Sequence, residues 1–202
     1  MVISVLVALA VILLPVLKAS RRLPSRISCA NNVKQILLTF RTWSQDHNDL
    51  LPMQVSVANG GAMELAATGN IAAIFQVMSN ELTTPWLLHC SSDEQHSSTR
   101  NFTDLAAANI SYFVGLDAGM TNSGKVFLLG DANLTLRGKP VKSGLLNLDS
   151  NAPVAWDASR AGQHRDSGNL GFADGSVKAL KRFEFTNCLI KTGLATNRLA
   201  IP

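Results

Sequence analysis

ISCANNVKQILLTFRTWSQDH, residues 27–47, repeats apolar side chains at helical spacing: Val33, Ile36, Leu37, Phe40 and Trp43 fall three and four apart and share one face. Lys34, Gln35, Arg41, Thr42 and Gln45 take the other face. This pattern predicts an amphipathic helix lying across a domain, with Pro24 placed to kink its start. Asp46–Pro52, DHNDLLP, then gathers turn formers and a proline that end it.

Upstream, Met1–Leu17 reads MVISVLVALAVILLPVL and carries no charge. As a helix it would cover roughly 25 Å against a hydrocarbon core of roughly 30 Å, a marginal span. A cleaved signal peptide fits less well, because the start is uncharged and Lys18-Ala19-Ser20 lacks a small-x-small cleavage pattern. A buried core helix is the other alternative, yet such helices seldom lack polar residues on every face. Lys18, Arg21, Arg22 and Arg26 follow the run at headgroup level, so the lipid bilayer is the expected partner. The expected organisation is a transmembrane anchor over 1–17, a basic juxtamembrane region with the amphipathic helix continuing from the anchor over 18–52, and a soluble α+β domain over 53–202.

Composition agrees with one packed domain plus that apolar segment: 202 residues, 47% hydrophobic and 16% charged. The net charge of +4 is concentrated beside the apolar run, with no later basic stripe interleaved with aromatics, which argues against nucleic acid as a partner. Ala62–Leu82 predicts a second helix broken or weakened around Gly69. Strand candidates are Ile110–Leu116, Lys125–Leu129, Pro153–Trp156, Asn169–Ala173 and Ser176–Leu180, separated by Gly, Asn and Asp. Helix followed by meander predicts an α+β fold, a long N-terminal helix packed on an antiparallel sheet. Cys29, Cys90 and Cys188 are widely spaced and form no Cys-x-x-Cys pair, so they indicate neither a zinc ribbon nor a thioredoxin-like motif.

The stretch VILLPVLKASRRLPSRISCANNVKQILLTFRTWSQDHNDLLP, residues 11–52, resembles the start of bacterial type IV pilin-like proteins of the type II secretion pseudopilin group. The matching residues are Leu13, Leu14, Pro15, Cys29, Asn31, Asn32, Val33, Lys34, Gln35, Asp46, Asn48 and Pro52. Further along, HCSSD at His89–Asp93, ISYFVG at Ile110–Gly115 and LLGDANLT at Leu128–Thr135 look similar to segments of the same subfamily. HRDSGNLGFADGSVKAL, His164–Leu180, is similar to its C-terminal signature of His, nine residues, then Asp-Gly.

The resemblance implies a pilin-like fold and an inner-membrane, single-pass chain with its domain on the extracytoplasmic side, against the positive-inside rule, which would place Lys18–Arg26 in the cytoplasm. It implies a structural or assembly role in the cell envelope linked to type II secretion, with other pilin-like subunits as partners through the N-terminal helix. Cys29 and Cys90, the two cysteines it matches, become the candidate disulfide. The family's Gly-Phe-Thr-Leu-Ile-Glu processing run does not precede Val2, so the expectation is either a start upstream of Met1 or a chain without that processing. The alternative function is a membrane-tethered binding domain that recognises a glycan, polymer or other envelope partner by its loops.

Chemistry has few candidates. His164, Asp166 and Asp174, with Asp131 and Asp157 upstream, could form a metal or catalytic group, but Asp174-Gly175 reads first as a two-residue hairpin turn with His164 bonded to backbone. His164, Asp174 and Gly175 are therefore assigned a structural role. His89, Cys90 and His96 have no fourth ligand at a recognised spacing. Trp43, Trp86 and Trp156 read as packing. No nucleophile elbow, phosphate-binding glycine loop or His-Glu-x-x-His occurs, so the reading is a non-enzyme with no cofactor and no metal.

Overall fold

A computed structural model of the chain describes residues 22–158, 164 and 166–202, with side chains from Arg26 onward. Helix α1 covers Arg22–Gln45. Pro24 falls in its first turn, where a missing N–H breaks no intrahelical bond. Val33, Ile36, Leu37, Phe40 and Trp43 are all buried, and Lys34, Gln35, Arg41, Thr42 and Gln45 are exposed. Burying each of those five apolar side chains contributes about 1.5–3 kcal/mol, so this stripe is a main source of the helix's stability.

Between α1 and the sheet strands lie three short helices, α2 (Met63–Ala66), α3 (Ile71–Gln76) and α4 (Ser79–Leu82). The helix expected over Ala62–Leu82, broken or weakened around Gly69, is broken there, because Gly69 takes a left-handed φ of 83° and Asn70 caps α3 by accepting from Ala73 N–H; a further break precedes α4.

The main sheet has six strands in the order β5-β9-β1-β2-β7-β8: β1 (Tyr112–Gly115), β2 (Phe127–Asp131), β5 (Gly144–Asp149), β7 (Ser167–Phe172), β8 (Val177–Lys181) and β9 (Thr196–Ile201). Its pairings are antiparallel. A second sheet of three strands, β4-β3-β6, comprises β3 (Leu134–Leu136), β4 (Lys139–Pro140) and β6 (Val154–Trp156). Helix α5 (Glu184–Thr192) packs beside β6.

Every residue of β1, β2 and β7 is buried, because the main sheet is a middle layer. On one face Tyr112, Val114 and Leu128 join the core with α1; on the other Phe113, Phe127, Leu170 and Phe172 meet Trp156, Phe185 and Leu189. Trp156 and Phe185 rings lie 5.2 Å apart at the centre of this second core. In β7 the two faces differ by a glycine: a Cβ at Gly171 would stand 2.7 Å from Leu37 Cδ1 and 2.9 Å from Val33 Cγ1. The helix therefore sits directly on the strand backbone.

Three expectations are corrected. The long anchor helix packed on one antiparallel sheet is replaced by two sheets and two cores, since the central strands carry large apolar side chains toward both faces. The single-pass inner-membrane anchor is overturned as well: among the described residues no helix is long and apolar enough to cross a membrane. Helix α1 exposes Arg26, Asn31, Lys34, Gln35 and Arg41, and Met1–Leu17, where the anchor was read, lies outside the described residues. Finally, Asp174-Gly175 is not a two-residue turn with both residues at positive φ. Gly175 alone takes a left-handed φ, 87°, with Gly175 N–H donating to Phe172 C=O and Ser176 N–H to Asp174 Oδ1, both at 2.9 Å. This is the longer hairpin loop in which a left-handed glycine follows an ordinary turn.

Two glycines are thus sensitive for different reasons. Gly171→Val should cost about 1–3 kcal/mol by overpacking against Leu37 and Val33. Gly175→Val should cost a similar ~1–3 kcal/mol through backbone strain, whereas Gly175→Asn should recover much of it. Urea unfolding of the variants measures this, and a Gly175→Asn chain as unstable as Gly175→Val would contradict the backbone explanation.

Candidate functional site

Beneath the N-terminal half of α1, four elements bring together a buried polar group. Cys29 comes from α1 and Cys90 from the loop that follows the 3-10 turn Pro85–Leu88; Asp131 ends β2, and His164 stands three residues before β7. All four are buried. Cys29 and Cys90 form a disulfide with a Cα–Cα distance of 5.3 Å across 61 residues, so it staples the helix to the segment that follows the short helices. Next to the staple, Asn32 Nδ2 donates to His89 C=O at 3.3 Å and Cys90 N–H donates to Ser111 Oγ at 3.0 Å.

His164 Nε2 lies 3.5 Å from Cys90 Sγ and 3.7 Å from Asp131 Oδ2. Its backbone is left-handed, φ 27°, and its carbonyl accepts from Ser167 Oγ. The His164 ring itself packs against the disulfide and Asp131. Asp131 Oδ2 accepts from Asn169 N–H at 2.7 Å and Asn169 Nδ2 at 3.1 Å. Asp131 Oδ1 and His164 Nδ1 are buried with no hydrogen-bond partner among the described residues.

Burial pushes the Asp131 carboxyl up to about 7 despite the two bonds from Asn169. Burial, helped by the positive charge of Arg26, lowers His164 to about 4. The pair is therefore not a strong ion pair at neutral pH, since burial disfavours the charged form of each. Asp93 behaves oppositely. Burial works to raise it, but bonds from His96, the Gln95 N–H and Ser111 outweigh that and hold it at about 2. Its Oδ2 is 2.7 Å from His96 Nδ1 and its Oδ1 accepts from Gln95 N–H at 2.9 Å.

The remaining candidates do not gather. Asp174 sits at the exposed tip of the β7–β8 hairpin, where Arg41 Nη1 donates to its carbonyl at 2.9 Å. Asp166 pairs with Arg182 at 3.2 Å on the surface. His89 Nε2 faces the His96 carbonyl at 3.0 Å, His96 faces Asp93, and Cys90 is in the disulfide, so these three do not converge on one point. Trp43 and Trp156 are packed inside, but Trp86 is 53% exposed and is no core residue. Sequence reasoning passed over Asp93 and Ser111 as site residues; a polar pair inside the HCSSD and ISYFVG segments was the available signal.

Two measurements follow. Replacing Cys29 and Cys90 together by Ser should cost about 2–5 kcal/mol, because the closed loop is long. For pH, Asp93 has a folded value below its ordinary 3.8, so its stabilisation is present above about 4 and is lost as pH falls toward 2. Asp131, raised, loses stability as pH climbs from about 4 to about 7, while His164, lowered, gains it between about 4 and 6.5, so these two oppose each other. Asp93→Asn should therefore flatten the acid limb below pH 4 and lower stability evenly across the neutral range, leaving the slope there unchanged. Chemical unfolding from pH 2 to 8 tests it, and an unaltered acid limb would show that Asp93 contributes little.

No family model matches the chain, nor does any curated protein or solved structure, so the reading of this site rests on its own geometry.

Proposed function

We infer that the chain is a non-catalytic, pilin-like structural or assembly protein of the bacterial cell envelope, working in an oxidising compartment. The observation that carries this reading is the outer face of α1. Ile27 and Leu38 are each 63% exposed and, eleven residues apart, return to the same side of the helix. Its inner face is already filled by the core, so these two side chains suit a helix that packs against another copy. The disulfide supports the compartment, since reducing cytosols keep such thiols open. The link to pseudopilins and type II secretion is carried by the sequence motifs alone.

A second reading is a binding domain that recognises a glycan or polymer by its loops. Trp86, exposed on the turn Pro85–Leu88, favours it, because an exposed indole is a common platform for such contacts.

Light scattering after gel filtration separates the two. The first reading expects mass to rise with protein concentration and Ile27→Lys or Leu38→Lys to return the chain to monomer with its melting temperature unchanged. A chain that stays monomeric up to millimolar concentration, but loses polysaccharide retention on Trp86→Ala, selects the second.

A further inference from the structure

We propose that the Cys29–Cys90–His164–Asp131 cluster is a redox-gated zinc site: closed while the disulfide is formed, and able to take one zinc ion when a dithiol opens it. Cys29 Sγ, Cys90 Sγ and the His164 ring nitrogen already lie within 4.8 Å of one another. Tetrahedral zinc holds sulfur at about 2.3 Å and nitrogen or oxygen at about 2.0–2.2 Å, which puts neighbouring ligand atoms roughly 3.3–3.8 Å apart. The 3.5 Å from Cys90 Sγ to His164 Nε2 is one such edge, and Asp131 Oδ2 at 3.7 Å from His164 Nε2 brings the carboxylate alongside the three, with its other oxygen, Oδ1, left to turn to the ion. The two sulfurs are too close while bonded, and opening the disulfide lets Cys29 Sγ turn away to the same spacing.

The surroundings suit a metal rather than an empty pair of thiols. Asp131 has Oδ1 buried without a partner among the described residues, while Asn169 holds Oδ2 with two bonds, the outer support a ligating carboxylate needs. Two thiolates and one carboxylate around a divalent ion leave a single negative charge. Arg26 acts electrostatically on both His164 and Asp131 and offsets it. Four different elements supply the ligands, so the metal would replace the disulfide as the staple between α1, the Cys90 loop and the sheet.

The chemistry balances. The dithiol gives two electrons and two protons to the Cys29–Cys90 bond and leaves as a disulfide, yielding two protein thiols. Zinc then displaces the two thiol protons, which pass to solvent. Reoxidation by a disulfide reverses both steps and releases the ion.

The test uses the full chain, reduced with a dithiol, freed of it by gel filtration under nitrogen, and titrated with cobalt as a spectroscopic stand-in for zinc. The expected result is one cobalt per chain with the strong visible absorption of a tetrahedral site and a thiolate-to-cobalt charge-transfer band, and none in the oxidised chain. His164→Ala and Asp131→Asn should each weaken binding by about tenfold or more. Alkylation of the unmutated reduced chain, read by mass spectrometry, keeps the test independent of variants that fail to fold. Zinc should slow modification of Cys29 and Cys90 by about tenfold or more and leave the half-buried Cys188 unaffected. A reduced chain that takes up no cobalt, a His164→Ala chain that binds as tightly as its parent, or equal protection of all three cysteines would overturn the proposal.

Discussion

Strand β7 has to serve two cores at once, and most of the architecture follows from how it does so. Leu170 and Phe172 point into the layer built by Trp156 and Phe185, while Gly171 leaves a bare backbone on the other side for Leu37 and Val33 of α1. A side chain there would hold the helix off the sheet, and the five-residue apolar stripe would lose part of its burial. With the helix seated, Cys29 comes close enough to Cys90 to be bonded. The staple in turn fixes the loop that supplies Asp93 and receives Asn32.

The same two-sided burial explains what could and could not be read from the sequence. Helix α1 was legible because a 3.6-residue period with one buried face leaves a clear pattern, as Val33 through Trp43 do. The centres of β1, β2, β6, β7 and β8 were legible from apolar runs bounded by Gly, Asn and Asp, although their ends are set by partners rather than by composition. Strands β5 and β9 were not found. GLLNLD and TNRLAI become strands by pairing with each other, Gly144 with Ile201 through Asp149 with Thr196, a relation no local window contains. Helix α5 did carry a signal, Phe185, Leu189 and Thr192 at spacings of four and three, and was passed over among short polar residues.

The site was legible only in fragments. Cys29 and Cys90 were paired by resemblance, and Asp131 was named with His164 only as an upstream member of a possible metal or catalytic group. What composition and spacing could not supply is convergence: the four side chains come from positions spread over more than half of the chain, and tertiary packing alone makes them neighbours. Nor could local reasoning anticipate that Asp131 and His164 would both be buried deeply enough for desolvation to dominate the charge state of each.

The spacing of His, nine residues, then Asp-Gly has a mechanical meaning in this fold. Strand β7 fills most of the interval, and at about 3.3 Å per residue a six-residue strand spans roughly 20 Å. His164 therefore belongs to the disulfide end of α1 and Asp174-Gly175 to its other end, where Arg41 reaches the Asp174 carbonyl. The two halves of the pattern do not form one site. They fasten the same strand at both ends beneath the same helix, and Gly171 lies between them where the helix touches the strand. A shift of one residue in that interval would exchange the faces of β7, placing Leu170 or Phe172 under α1 where only a glycine fits. The spacing is thus a requirement of register, and chemistry at the His164 end can vary without disturbing the turn at the other.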